Sequence, residues 1–246
     1  RTKGEKMREG VSIPLLPKDG RPWHSVMPST PLWRKWNDTT GKMKRFAFYY
    51  DSEACSGCKT CQIACKDKND LGQGINWRRV YEVTGGGWIK EGHAWRSDII
   101  AYYISMACNH CEDPVCMHAC PAKAISKGED GIVTIDPDRC MGCKYCSWMC
   151  PYSALQYDEE KGVMTKCDMC LDYVSEGKNP SCVDACPARA LDFGEYEDLA
   201  RKYGETPHLH PLPDQRMTGP SMLITPHKSA LKKGNRTAEI SNIEEI

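Results

Sequence analysis

The sequence predicts an α+β protein in which short strands and helices alternate with cysteine-rich loops. Sixteen cysteines fall into four tight groups of four within a chain of 246 residues. Apolar runs are short: the longest, residues 99–107, has nine residues, interrupted by Ser105. Both ends of the chain are punctuated by proline and show no regular hydrophobic period, so they are predicted to be extended tails.

Local patterns place the elements in order. Alternating or aromatic-rich runs predict strands at 46–50, 80–83, 88–89, 99–106 and 132–135, and helices are predicted at 60–69 and 195–203. The glycine run 85–87 predicts a hairpin between the second and third strands. No Gly-Lys-Ser/Thr follows these glycines, so a phosphate-binding loop is not indicated. Residues after 207 are predicted to wrap the core or a partner.

The cysteine spacing indicates iron–sulfur chemistry. The four groups are Cys55, Cys58, Cys61, Cys65; Cys108, Cys111, Cys116, Cys120; Cys140, Cys143, Cys146, Cys150; and Cys167, Cys170, Cys182, Cys186. The third group has the spacing C-x2-C-x2-C-x3-C-P, by which bacterial ferredoxins hold cubane clusters. Because four groups of four leave no cysteine over, the count predicts four 4Fe-4S clusters and a chain that conducts single electrons.

Disulfides and structural zinc are the alternatives for these cysteines. Disulfide frameworks belong mainly to small secreted scaffolds, whereas a chain of this size can build a core. Structural zinc sites also use C-x2-C pairs, but they do not need a third cysteine three residues on or a fourth followed by proline. The fourfold recurrence therefore favours iron–sulfur clusters.

In two-cluster ferredoxins the fourth cysteine of each motif binds the other cluster, because the chain crosses between the sites. Applied here, this rule predicts four ligand sets: Cys55, Cys58, Cys61, Cys186; Cys65, Cys167, Cys170, Cys182; Cys108, Cys111, Cys116, Cys150; and Cys120, Cys140, Cys143, Cys146. The predicted architecture is two nested ferredoxin-like modules. The outer module comprises 45–70 and 160–195 and the inner 106–159, with a β insertion at 71–105, an N-terminal partner-wrapping segment at 1–44, and a helix and tail at 196–246.

Composition excludes other classes of function. Charged residues make up 27% of the chain and the mean hydropathy is −0.58, which is typical of a polar surface. No apolar run is long enough to span a bilayer. No basic patch with interleaved aromatic residues indicates nucleic-acid binding. Six basic residues flank the cysteine groups and can offset cluster charge and raise reduction potentials: Lys59, Lys66, Lys144, Lys166, Arg139 and Arg189.

Other residues near the cysteines are assigned supporting roles. His110 and His118 are predicted to pack or to hydrogen-bond near the clusters, since each site already has four thiols. Methionine and aromatic side chains are predicted to keep water from the clusters: Met106, Met117, Met141, Met149, Met169, Tyr145 and Trp148. No nucleophile–base set indicates catalysis by this chain itself.

Five short runs can be compared with known families: 108–114 (CNHCEDP), 140–146 (CMGCKYC), 165–170 (TKCDMC), 78–81 (RRVY) and 190–194 (ALDFG). Together they resemble the four-cluster subunit of the dimethyl sulfoxide reductase family of molybdenum oxidoreductases. The resemblance covers about residues 43–225. It implies an electron-transfer subunit, not catalytic on its own, between a molybdenum bis-pterin catalytic subunit and an integral membrane anchor that oxidises menaquinol.

The resemblance also implies an order of sites. The set with Cys55 and Cys186 would lie nearest the catalytic subunit, and the set with Cys120 and Cys143 nearest the membrane. Nitrate reductase relatives have tryptophan at the position of Cys143 and carry a 3Fe-4S cluster there, so Cys143 predicts a cubane. The resemblance implies a bacterial complex held at the membrane by its partners, on the periplasmic face, with the cytoplasmic face as the alternative. A soluble polyferredoxin serving several partners is the competing function, and a zinc scaffold is a third.

Overall fold

The computed structural model describes residues 45–204, 209–230 and 238–245, so the predictions for residues 1–44 lie outside it. The strands and helices in chain order are β1 (Phe46–Asp51), α1 (Thr60–Lys68), β2 (Arg79–Gly85), β3 (Trp88–Glu91), β4 (Ala94–Ser97), β5 (Ile100–Met106), α2 (Val115–His118), β6 (Ile125–Lys127), β7 (Val133–Ile135), α3 (Tyr145–Met149), β8 (Gln156–Asp158), β9 (Val163–Thr165), α4 (Leu171–Ser175), α5 (Ser181–Asp184), β10 (Leu191–Glu195), α6 (Tyr196–Tyr203), β11 (Met222–Thr225) and β12 (Glu239–Ile240). Short 3-10 helices span Gln215–Met217 and Ile243–Glu245.

A three-stranded sheet in the order β10-β1-β11 contains the central strand β1. β1 is antiparallel to β10 and parallel to β11. Successive side chains of a strand point to opposite faces. Accordingly Phe48 and Tyr50 join the main core, whereas Ala47 and Tyr49 pack on the other face, against Leu199 of α6. Both faces of β1 are therefore buried, which explains its run of aromatic residues.

The second sheet has the strand order β12-β2-β5, and this pairing shows that the predicted hairpin is wrong. β2 pairs with β5 over seven residues, from Arg79 opposite Met106 to Gly85 opposite Ile100. β3 pairs instead with β4, so the strands beside the glycine run do not pair with each other. Gly86 has a φ of 70°, and a β-carbon there would overlap the carbonyl of Asp98. The glycines thus let two chain segments pass closely where the β3–β4 arm leaves the sheet.

The C-terminal segment contributes strands to both sheets. β11 extends the first sheet, and Glu239 and Ile240 of β12 pair with Thr84 and Val83 of β2. The described part of the predicted tail thus lies along the core.

Two further hairpins, β6–β7 and β8–β9, surround a smaller core next to the cysteine loops. Val133 and Leu155 are buried there together with Cys116 and Cys146. The described residues therefore form a mixed α and β fold with small sheets, in agreement with the predicted class; the nesting of two modules stays a prediction. No helix in the described ranges combines the length and hydropathy needed to cross a membrane.

Candidate iron–sulfur sites

The four C-x2-C loops share one backbone conformation. The residue before the second cysteine has a positive φ in every loop: 70° at Gly57, 40° at His110, 67° at Gly142 and 62° at Met169. A positive φ is uncommon for residues other than glycine, so its recurrence at one position is a structural repeat. This turn leaves amide hydrogens directed at sulfur, as where the Met169 amide donates to Cys167 Sγ at 3.4 Å.

A second repeat follows three of the four final cysteines. The sequence C-P-x-x-A occurs at 120–124, 150–154 and 186–190, and its fourth residue has a φ of 50° to 52° each time. The alanine amide then donates to the cysteine sulfur, at 3.2 Å from Ala124 to Cys120 and at 3.3 Å from Ala190 to Cys186. Such bonds stabilise a thiolate. Cysteine spacing alone does not reveal these donors, although the threefold C-P-x-x-A pattern is visible in the sequence.

The fourth final cysteine, Cys65, departs from this repeat. It lies inside α1 and is followed by Lys66 rather than proline. Its sulfur is approached by the Nδ2 atom of the Asn69 side chain at 3.7 Å. A helix can continue here because Lys66, unlike proline, donates a backbone hydrogen bond and fits the helical turn.

One cavity brings together cysteines from two groups. It is lined by Cys120, Cys140, Cys143 and Cys146, and the rest of its wall is apolar: Ala122, Ala124, Ile125, Ile135, Met141 and Met164. Cys120 belongs to the second sequence group and the other three cysteines to the third. Burial raises the pKa of Cys146 to about 11, and the three neighbouring thiols of the cavity add to the rise.

A second cavity joins the first and last cysteine groups. Its wall contains Cys55, Cys58, Cys61 and Cys186, with Tyr50, Val80 and Leu191 among the remaining side chains. Cys186 lies more than a hundred residues after the other three. The antiparallel pairing of β1 with β10 brings these distant segments together, since the first cysteine loop follows β1 and Cys186 precedes β10.

In the other two predicted sets, thiols of the same set raise one another's pKa values. Burial raises the pKa of Cys116 to about 12, and Cys108, Cys150 and Cys111 act in the same direction. Burial likewise raises the pKa of Cys65 to about 12, with further contributions from Cys182 and Cys170. Burial also raises the pKa of Cys167, and Cys65 and Cys108 raise it further. Because Cys65 and Cys108 belong to different sets, the two sets are neighbours.

These sites fit iron–sulfur clusters by the chemistry of their donors. All sixteen cysteines are free thiols. Buried thiols with raised pKa values resist ionisation, yet metal ligation requires thiolates, so the positive charge of bound iron would offset this cost. In the described ranges no three His, Cys, Asp or Glu side chains converge closely enough to hold a single metal ion. A cubane does not need that convergence, because its four irons hold the thiolates apart.

The two histidines occupy different environments. His110 is fully buried, and its Nδ1 atom accepts a hydrogen bond from the Val133 amide at 2.9 Å. Burial lowers the pKa of His110, and the charges of Lys166 and Lys127 lower it further, so the ring is neutral. His118 is largely exposed and contacts Asp113 at 2.8 Å.

The predicted shielding side chains divide into two classes. Met106 and Met169 are buried, and Met117 is half-buried against the smaller core. Four others are exposed and are together called the α3 patch here: Met141, Tyr145, Trp148 and Met149. Trp148 is 75% exposed, and its ring packs edge-on against Tyr145 with centroids 5.4 Å apart. Tyr145, Trp148 and Met149 are turned outward by α3, so their predicted shielding role is wrong for this chain, whereas Met141, in the loop before α3, is exposed but also lines the Cys143 cavity.

Comparison with known proteins identifies relatives with iron–sulfur chemistry. A family model described as a 4Fe-4S dicluster domain matches residues 99–196. The B subunit of the anaerobic dimethyl sulfoxide reductase of Escherichia coli (strain K12) is 47% identical over 202 residues, which cover 82% of this chain and 98% of that protein. The corresponding subunit of Haemophilus influenzae is 47% identical over 205 residues, covering 83% and 100%.

A more distant relative matches a somewhat shorter part of the chain. The B subunit of the polysulfide reductase of Wolinella succinogenes is 33% identical over 190 residues, which cover 75% of this chain and 96% of that protein. The resemblance inferred from the cysteine motifs is thereby confirmed. With its cysteine loops, its free thiols and this extent of similarity, the chain belongs to the family of dimethyl sulfoxide reductase iron–sulfur subunits.

Proposed function

We propose that this chain carries single electrons between a quinol-oxidising membrane anchor and a molybdenum bis-pterin catalytic subunit, as in anaerobic respiration on dimethyl sulfoxide. Four 4Fe-4S clusters, when bound, supply one-electron redox chemistry. The chain itself supplies thiolate ligands, amide donors to sulfur and apolar walls, and does not catalyse the terminal reaction. Its membership of a family of reductase subunits supports this role.

The observation that carries the proposal is the composition of the two four-cysteine cavities. Each contains three cysteines from one sequence group and one from another. This is the ligand arrangement that couples neighbouring clusters in two-cluster ferredoxins. It supports the sets Cys120, Cys140, Cys143, Cys146 and Cys55, Cys58, Cys61, Cys186.

The remaining two sets complete the proposal. Their members are Cys108, Cys111, Cys116, Cys150 and Cys65, Cys167, Cys170, Cys182. The pKa shifts of Cys116 and Cys65 support them, because each thiol is influenced by partners of its own set. We further propose that 106–159 forms an inner module and that 45–70 with 160–195 forms an outer one, with 71–105 inserted between them. The exchange of one cysteine between groups would make each pair of clusters fold together.

The α3 patch supports stable association with a partner. Monomeric proteins seldom expose several large apolar side chains side by side, and Trp, Tyr and Met are enriched at the centres of protein interfaces. Met141 belongs both to this patch and to the wall of the Cys143 cavity. We assign the patch to the membrane anchor, because a redox partner must approach a cluster closely and the family resemblance implies that the set with Cys120 and Cys143 lies nearest the membrane. A soluble carrier that exchanges partners would be poorly served by so apolar a surface.

Co-purification tests the proposal. We expect affinity-purified chain from anaerobically grown cells to contain about sixteen irons per molecule, to show reducible 4Fe-4S signals by electron paramagnetic resonance (EPR), and to bring down a molybdenum-containing subunit and an integral membrane protein. An iron-loaded monomer without molybdenum would support the polyferredoxin function instead. A colourless protein containing zinc would contradict both.

Protease treatment of intact spheroplasts tests the side of the membrane. We propose the periplasmic face, on the family resemblance, and therefore expect the chain to be cleaved without lysis. Protection until the cells are lysed would place the complex on the cytoplasmic face.

A further inference from the structure

Arg78 is a buried cation whose role the cysteine pattern does not account for. Only 1% of its surface is exposed, and it precedes β2 directly. Its Nη1 atom donates to Ser105 Oγ at 3.1 Å, and the guanidinium lies 4.7 Å from the centroid of the Phe48 ring. Nε and Nη2 have no hydrogen-bond partner in the described part of the chain. A fully buried charge with two free donors is costly unless negative charge lies nearby.

Cysteine sulfurs are the groups that can balance this charge. Burial by itself lowers the pKa of the Arg78 guanidinium, but nearby cysteines outweigh that effect and raise the pKa above its ordinary value. The cysteines responsible are Cys182, Cys61, Cys167 and Cys65. A positive charge among four buried thiols favours their ionised form, as iron ligation also requires.

The four cysteines around Arg78 belong to two of the proposed ligand sets. Cys61 comes from the set of Cys55 and Cys186, whereas Cys65, Cys167 and Cys182 form most of another set. The Ser105 hydroxyl connects Cys61 to Arg78, since it lies 3.4 Å from Cys61 Sγ and 3.1 Å from Arg78 Nη1. The guanidinium therefore lies between two sets and is not associated with one alone.

We infer that Arg78 is a positioning residue that sets the reduction potentials of two clusters together, by holding a fixed positive charge and two hydrogen-bond donors between them. This inference rests on the proposed cluster assignments. Each cluster gains one negative charge when it takes up one electron, so a nearby cation stabilises the reduced state more than the oxidised state. Arg78 thus raises both potentials and leaves distant clusters unaffected.

Neighbouring Arg79 provides a matched control. It is also buried, but its Nη2 atom donates to the carbonyls of Tyr152 and Ser153, at 3.1 and 2.7 Å. Burial raises the pKa of Cys150, and the charge of Arg79 partly opposes this rise. Arg79 is therefore associated with the set containing Cys150, and its removal should not alter the two clusters beside Arg78.

The test is an anaerobic redox titration with dithionite, followed by EPR, of the complex isolated with Arg78→Gln, Arg78→Lys or Arg79→Gln. In Arg78→Gln, we expect the reduced-to-oxidised ratio of two clusters at fixed potential to fall by about tenfold, which is about 59 mV for a one-electron couple. Arg78→Lys keeps the charge, so we expect a fall of less than about threefold in the same two signals. Arg79→Gln should leave these two signals unchanged.

The iron content of each variant distinguishes failure of the inference from failure of the proposed function. A fully loaded Arg78→Gln protein with unshifted potentials would overturn the inference while leaving the proposed function intact. If Arg78→Gln does not load iron, Arg78→Lys decides: because lysine keeps the charge, a fall of tenfold or more in the two signals, or equal shifts in all four clusters, counts against the inference. If neither variant loads while Arg79→Gln does, Arg78 serves assembly and the inference is wrong. Wild-type protein without cubane clusters would instead contradict the proposed function.

Discussion

Gly57 and Gly142 occupy the same place in two cysteine loops, and both have positive φ angles. The equivalent residues of the other two loops are His110 and Met169, so the loop conformation does not itself require glycine. Space is the additional constraint. A β-carbon at Gly57 would overlap the ring of Tyr103, and one at Gly142 would overlap the carbonyl of Gly162. Glycine is required at these two positions because neighbouring segments approach the loop closely.

Gly57→Ala is expected to impair the cluster site formed by Cys55, Cys58 and Cys61. Either the loop or the Tyr103 ring must move, which displaces the thiols. We expect the iron content to fall by up to about four atoms per molecule. Gly74→Ala is the matched control, because Gly74 has a φ of 80° but open space around it. Equal iron contents in the two variants would show that the overlap with Tyr103 does not govern the site.

Cys143→Trp is expected to convert one cubane into a 3Fe-4S cluster, because tryptophan supplies no thiolate for the fourth iron. Iron analysis should show a loss of about one atom per molecule, EPR should show a new 3Fe-4S signal, and quinol-driven turnover should stop. Met141→Trp adds similar bulk to the same loop and retains every thiol, so it should keep full iron. An unchanged iron count and spectrum in Cys143→Trp would contradict the proposed ligand.

Helix α6 shows how an element outside the cysteine loops supports them. It lies beside the sheet that joins β1 to β10, and Leu199 packs with Ala47, Tyr49 and Leu223. Tyr203 donates a hydrogen bond to Asp192 at 2.6 Å, which ties the end of α6 to β10. Since β1 and β10 position the first cysteine loop and Cys186, packing of α6 stabilises the scaffold of that site.

Leu199→Ala is expected to destabilise the protein by about 2–5 kcal/mol, as is usual when a buried leucine is truncated. Anaerobic guanidinium unfolding followed by circular dichroism would measure the effect. Ile243→Ala is the control, because Ile243 is exposed, and its unfolding midpoint should match that of the wild type. Equal midpoints for both variants would mean that α6 contributes little to the stability of the fold.

At the scale of the whole molecule, the chain repeatedly returns to segments it has already formed. Cys186 returns to the first cysteine loop, Cys120 reaches the cavity of the third group, and β11 and β12 add to strands formed far earlier in the chain. Such long-range returns link the cysteine groups, so binding of iron at one site should favour folding of its neighbour.

Cys120→Ser tests this crossing of the chain. Although Cys120 follows Cys111 and Cys116 in the sequence, it shares a cavity with Cys143. We therefore expect Cys120→Ser to alter the same EPR signal that Cys143→Trp alters. Cys111→Ser is the control and should alter a different signal. If Cys120→Ser and Cys111→Ser change one common signal, the ligands of each cluster come from a single sequence group and the crossing is wrong.

Local patterns predicted seven of the strands and helices near their observed positions, but they missed the short helices α2 to α5 and the β8–β9 hairpin. The predicted strand at 46–50 corresponds to β1, the helix at 60–69 to α1, and the strand at 99–106 to β5. The pairing of strands was less predictable. The glycine run indicated a hairpin, but glycine permits a close approach of chains as readily as a turn, and here β2 pairs with β5 across the β3–β4 arm.

The sequence by itself determined the chemistry of this protein, because the number and spacing of its cysteines specify iron–sulfur ligation whatever the surrounding fold. Only the tertiary structure showed which other groups meet the cysteines. Arg78 is thirteen residues from the nearest cysteine, Cys65, yet it lies buried among four of them, and the α3 patch is exposed although its sequence indicated shielding. The reason is physical: ligand type is a property of single side chains, whereas burial and charge environment depend on segments that are distant in the chain.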